Sequence, residues 1–240
     1  MKKNDFSINI PKVLFVLLTI LFAIQGSTSI AAEYKTITTL TADKSIGSSF
    51  TWQIIASQED AGEGLSKLPV KICFSNDSKA SQQCEFAEGH TVSNLELLRF
   101  SEKAESSSGI LFLANTYGMG GGSDYMSLWV YDKNTERFKN ILPFKLCVKA
   151  LGVYQFFPSL DNKCVLVIAD PETLLEPDAK VDDPDYEGIW SPHRYIFSIY
   201  QYSLDKGFVK AGSFTTKQKH NPEDENLIDS ELKGVKALLK

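Results

Sequence analysis

The chain has 240 residues, with 25 lysines and arginines against 30 aspartates and glutamates, a net charge of −5. An acidic balance of this kind excludes an ordinary nucleic-acid binder, which needs a basic footprint. Four cysteines and three scattered histidines (His90, His193, His220) form no Cys-x-x-Cys motif and no Cys/His cluster, which excludes a zinc or redox-thiol site.

Residues 1–32 read as a secretory signal. Lys2, Lys3 and Lys12 give a positive start, Val13 to Ile24 a short apolar core, and Ser29-Ile30-Ala31-Ala32 a small-residue cleavage region. The apolar run is shorter than the roughly 20 residues a spanning helix needs, so cleavage is expected rather than a permanent anchor. Removing it takes three lysines and one aspartate, leaving 22 basic and 29 acidic side chains, a net charge of −7 over 208 residues. No later segment is apolar enough to span a membrane. The expected location is therefore periplasmic or secreted.

Glu33 to Thr41 alternates as an opening strand, and Phe50 to Ala56 (FTWQIIA) is a stronger one, rich in aromatic and β-branched residues. Cys73 and Cys84 flank a turn-rich loop that suits a hairpin. Thr91 to Phe100 suits either a strand or a short helix, the strand being preferred, and Ser101 to Ser108 reads as a loop. Ile110 to Ala114 (ILFLA) is a buried strand leading through Gly118-Met119-Gly120-Gly121-Gly122 into a hairpin, Tyr125 to Leu142. Val165 to Ala169 (VLVIA) leads likewise through an acidic loop into a second hairpin, Tyr195 to Phe214. In each hairpin a tyrosine (Tyr131, Tyr202) ends the first strand and a phenylalanine (Phe138, Phe208) opens the return. Apolar residues occupy both faces of these strands, so the fold class is mainly β: repeated antiparallel meanders, propeller-like or sandwich, with both sheet faces covered. Residues 33–220 form this domain. At 221–240, Asn221, Pro222 and Glu223-Asp224-Glu225 open an amphipathic helix carrying Leu227, Ile228, Leu232, Val235, Leu238 and Leu239.

An even cysteine count in an exported chain predicts two disulfides, and the sequential pairs Cys73–Cys84 and Cys147–Cys164 suit the hairpins. Closing a loop of this size stabilises by roughly 3 kcal/mol. In the acidic loop, Asp183, Asp185 and Glu187 place oxygen ligands at alternate positions before Gly188, as a calcium loop begins, although Arg194 stands where an EF-hand has its glutamate. The default reading is a solvated acidic loop with no cofactor, and calcium is the alternative that this spacing allows. The glycine loop lacks the Gly-Lys-Ser/Thr ending of a phosphate loop and reads as a connection over a rigid sheet, where recognition commonly sits.

The segments Gly109 to Phe144, Ser159 to Glu172 and His193 to Phe214 together resemble exported bacterial proteins with a propeller-like β-fold. Some of those inhibit c-type lysozyme or protect against peptidoglycan-cleaving effectors. The resemblance implies a non-catalytic binding or inhibitory module, an inhibitor of or immunity factor against a basic cell-wall hydrolase. Where such proteins carry an Asn-Phe-Asp-Gly-type calcium turn before the first apolar strand, this chain has Ser101-Glu102-Lys103-Ala104-Glu105-Ser106, so no residue role carries over. The expected working surface joins the two loops at one sheet edge: Gly120, Gly121, Tyr125, Asp183, Asp185, Glu187, Trp190 and His193, facing a cationic protein partner. Two rivals stand beside it. One is an envelope-polymer hydrolase using two carboxylates of the 176–187 loop; the other is a structural envelope component.

Overall fold

A computed structural model describes residues 33–62, 66–76, 79–100, 108–116, 122–172, 191–222 and 224–239. The signal segment, residues 117–121 of the glycine loop and residues 173–190 of the acidic loop lie outside the described residues. None of the described helices is long and apolar enough to cross a membrane.

The described chain is mainly β, in three consecutive antiparallel meanders. The first sheet runs β1 (Tyr34–Ala42), β2 (Trp52–Glu59), β3 (Val70–Asn76) and β4 (Lys79–Ala87). The second runs β5 (Thr91–Arg99), β6 (Ser108–Thr116), β7 (Ser123–Asp132) and β8 (Arg137–Asn140), with β9 (Cys147–Lys149) also pairing β7. The third runs β10 (Val153–Leu160), β11 (Lys163–Pro171), β12 (Tyr195–Ser203) and β13 (Gly207–Thr215). The repeat is thus a four-stranded meander, one strand longer than the sequence pattern suggested. The residues before Ile110 and Val165 supply the extra first strand in each copy.

Alternation along these strands sends two apolar rows to opposite faces, and each row meets the next sheet. Ile54, Ile72 and Phe74 of the first sheet pack on Ile110, Phe112, Trp129 and Phe138 of the second. The second sheet's other face, Leu111, Leu113 and Leu128, packs on Leu166, Ile168 and Phe208 of the third. The third sheet's far face carries Val165, Val167, Phe197 and Ile199, covered by Leu227, Ile228, Val235 and Leu239. The paired tyrosine and phenylalanine of each hairpin face the preceding sheet, with ring centroids 5.6 Å apart for Tyr131–Phe138 and 5.4 Å for Tyr202–Phe208. Between the first two sheets Phe74 stacks on Phe138 at 4.1 Å while Trp52 meets the same ring edge-on at 5.0 Å. Such ring pairs add about 0.5–1.5 kcal/mol each beyond simple burial. The Gln83 amide completes this junction, donating to Phe138 O and accepting from Phe138 N, both at 2.8 Å.

Two expectations need correction. Cys73 and Cys84 stand directly opposite on β3 and β4 and are bridged, but Cys147 and Cys164 are free thiols. Cys164 sits at the start of β11, whereas Cys147 lies beside Lys149, whose N–H donates to Asp170 near the end of that strand. Cys164 Sγ faces Phe100 O, while Cys147 is paired with Tyr125 across β9 and β7, so each thiol has its own surroundings and the sequential pair is not formed.

The terminal helix does not begin at Asn221. His220 is held to His193 by two reciprocal backbone hydrogen bonds (2.9 and 2.7 Å), and its ring engages Glu231 at 3.2 Å and Asp224 at 3.8 Å. Beside this anchor, residues 221, 222 and 224–226 are not in a regular helix. Two short helices follow, α1 (Leu227–Ser230) and α2 (Leu232–Ala237), interrupted at Glu231. Gly234 is needed there: a Cβ would come within 2.7 Å of Phe214 Cζ, whose ring is stacked on Phe197 at 4.9 Å.

Candidate functional site

The ends of the two expected recognition loops are brought together by the segment that joins the second sheet to the third. Ala150 N–H donates to Gly122 O at 3.0 Å, where the glycine loop ends. Lys149 N–H donates at 2.8 Å to Asp170 Oδ1, shortly before the acidic loop starts. Gly122 and Asp170 are thus held by neighbouring residues of one connection, Ala150 and Lys149.

The base of the glycine loop is a polar network. Asp124 accepts from Ser93 Oγ at 2.8 Å and from Asn115 Nδ2 at 3.1 Å, and Asn115 O accepts from His90 N–H at 2.8 Å. Gly122 takes φ of 79°, and a Cβ there would meet Thr116 O at 2.5 Å, so the loop must close on glycine. Burial pushes the Asp170 carboxyl above its ordinary range, and burial with the charges of Glu96 and Asp124 does the same to the Tyr154 phenol.

Beside this base, between the first and second sheets, lies a pocket of about 320 Å³. Met126, Ser127 and Trp129 of β7 form buried wall, Tyr125 stands half-exposed, and Phe86, Glu88, Phe144 and Lys145 form the rim. The Phe144 ring is 83% exposed and Phe86 65%, unusual for side chains whose burial is favourable by a few kcal/mol. Their positions explain this. Phe86 falls on the outward parity of β4, two residues from Cys84, with its ring 6.1 Å from Tyr34. Phe144 and Lys145 are the central residues of a tight turn closed by Leu146 N–H on Pro143 O at 3.2 Å. That turn is tied to β7 by Met126 N–H donating to Leu146 O at 2.8 Å, so both side chains must point away from the sheet. Lys145 holds φ of 58°, a left-handed conformation a non-glycine residue adopts only where its surroundings impose it. Its ammonium lies 5.4 Å above the Phe144 ring centre and 3.1 Å from Glu88 Oε1.

Of the residues expected at the working surface, Tyr125 reaches this pocket. Gly120, Gly121, Asp183, Asp185, Glu187 and Trp190 fall in the two loops outside the described residues, and the calcium reading of Asp183, Asp185 and Glu187 falls with them. His193 is a correction: at 8% exposure, bridged to His220, it holds the C-terminal segment on the third sheet and is not part of an exposed patch. Among the described residues no three His, Cys, Asp or Glu side chains converge as a metal site would require. Sequence reading missed Phe86, Glu88, Phe144 and Lys145. Two signals were present: an aromatic beside a turn-forming Pro-x-Lys-Leu, and a phenylalanine in phase with a cysteine on the solvent face of a strand.

No family model, curated protein or solved structure matches this chain in the comparisons made.

Proposed function

We propose that this is an exported, non-catalytic binding module, with a propeller-like stack of meanders as the scaffold and the pocket beside the glycine loop as its docking point. The observation that carries this reading is Phe144, an aromatic side chain held in solvent by a strained turn at the mouth of a part-apolar cavity. An exposed aromatic on a rigid, pre-formed turn loses little conformational freedom on binding, which is the property of interface anchors. Among the described residues Glu88 is the carboxylate that lines the pocket, and it is engaged by Lys145, so the pocket presents a paired charge and aromatic faces to a visitor.

The partner class is a basic cell-wall hydrolase, with this chain as inhibitor or immunity factor. The negative balance of the chain would speed the approach of such a partner and make binding salt-sensitive. Capture assays with the chain lacking residues 1–32 against a panel of basic hydrolases, at low and high salt, test this. Salt-dependent capture by wild type that falls at least tenfold in Phe144→Ala, with unfolding unchanged, is the expected result. Failure to capture any of them at either salt concentration removes the hydrolase partner.

A further inference from the structure

The pocket rim already holds a cation. Lys145 places its ammonium between the face of Phe144 and the carboxylate of Glu88, in an exposed arrangement where side-chain and ion pair are both weakly held. The rings of Phe86 and Tyr125 line the same cavity. Aromatic faces carry negative potential, and a carboxylate at their edge completes a receptor for a positive side chain. Nothing in the folding of the turn requires this occupant. Its left-handed backbone at Lys145 would suit asparagine or glycine better, and the contacts that fix the turn are made by Leu146 and Pro143.

From this we infer that the pocket is a receptor for an arginine or lysine side chain of a protein partner, and that Lys145 is its internal stand-in, displaced when the partner docks. The inference rests on the binding function proposed above and specifies the chemistry of the same site. Exchange of one cation for another keeps a positive partner beside Glu88, so that carboxylate is never left unpaired on a desolvated surface. Arginine is the better visitor, because its planar guanidinium can stack on one ring and address the carboxylate edge-on.

The test uses the full chain and two end-blocked pentapeptides, Gly-Gly-Arg-Gly-Gly and its citrulline analogue, with binding read by chemical-shift change, which detects even millimolar association. The arginine peptide is expected to perturb Tyr125 and Trp129, and the neutral analogue to bind at least tenfold more weakly. Glu88→Gln and Phe144→Leu should each weaken the arginine peptide. Lys145→Met should tighten it about threefold, the gain from removing a competitor held by a weak exposed pair. Lys210→Met, an equal change of net charge on exposed β13, should leave it unchanged. Equal affinity for both peptides, or weakening by Lys145→Met, overturns the inference, as does absence of binding to both wild type and Lys145→Met. Should hydrolase capture persist and depend on Phe144 while the two peptides bind alike, the binding module stands and the cation receptor falls. Should the arginine peptide bind selectively with no hydrolase captured, the receptor stands and that partner class falls.

Discussion

Single side chains at this molecule's junctions act through burial more than through charge. Asp170 is the clearest case. Its carboxyl is held above the ordinary range mainly by burial, against the lowering effect of the Lys149 N–H bond and the Lys149 charge. The folded chain therefore binds that proton more tightly than the unfolded chain. The stabilisation is complete below the unfolded aspartate range, about pH 4, and is lost as pH rises through the folded value. Asp170→Asn keeps the oxygen that accepts from Lys149 and removes the charge that burial opposes. Urea midpoints should coincide for variant and wild type at pH 3, with the variant the more stable at pH 7. A less stable variant at pH 7 would show that the carboxylate is wanted there for another reason. The same logic separates the two exposed rim aromatics from the core rings: Phe144 touches little, so its loss bears on binding and not on stability.

At the scale of elements, the two hairpins recognised in the sequence share a turn position but not its constraints. Glu136 before β8 and Gly207 before the body of β13 both have positive φ, 53° and 72°. Glu136 stands exposed, so a side chain is tolerated there. At Gly207 a Cβ would lie 2.4 Å from Ile141 O, because Phe208 N–H donates to that same carbonyl at 2.8 Å and draws the turn against the preceding connection. Glu136→Gly is expected to change stability by less than about 1 kcal/mol, relief of the left-handed conformation being set against a more flexible unfolded chain. Gly207→Ala should cost about 2 kcal/mol or more, since strain and collision add. Chemical denaturation of both variants checks the contrast. Equal effects would mean that the approach to Ile141 does not matter. The terminal helices teach a related lesson. Capping residues at 221–225 favoured one long helix, but His220, bridged to His193, engages Asp224 and Glu231, and the described helix begins only at Leu227.

For the whole molecule, three sheets stacked in series with helices over the last one leave the thiols in different states. Cys73 and Cys84 are joined across neighbouring strands, while burial pushes the Cys164 thiol up to about 12 and also raises the Cys147 thiol. A thiol so shifted carries almost no thiolate at pH 8 and is inert while the stack is intact. Alkylation of the unreduced native chain at pH 8 should leave Cys164 unmodified. The unreduced, denatured chain should show two reactive thiols and the reduced, denatured chain four. Four oxidised cysteines in the unreduced chain would restore the second disulfide. The single bridge closes a short loop in the first sheet, and its reduction should lower stability by roughly 3 kcal/mol.

Strand identity was local information. The alternation in FTWQIIA, the apolar runs ILFLA and VLVIA, the turns after Tyr131 and Tyr202 and the opposed Cys73 and Cys84 each fix a conformation or a neighbour within a dozen residues. Period, turn chemistry and short loops carry such information directly. Tertiary packing alone decided the rest. It left Cys147 and Cys164 as separate thiols, drew His193 into the anchor of the C-terminal segment, and set Phe86 of the first sheet beside Phe144 from the end of the second. Those outcomes depend on which sheet faces which, and that is settled by the fit of whole apolar rows contributed by residues far apart in the chain.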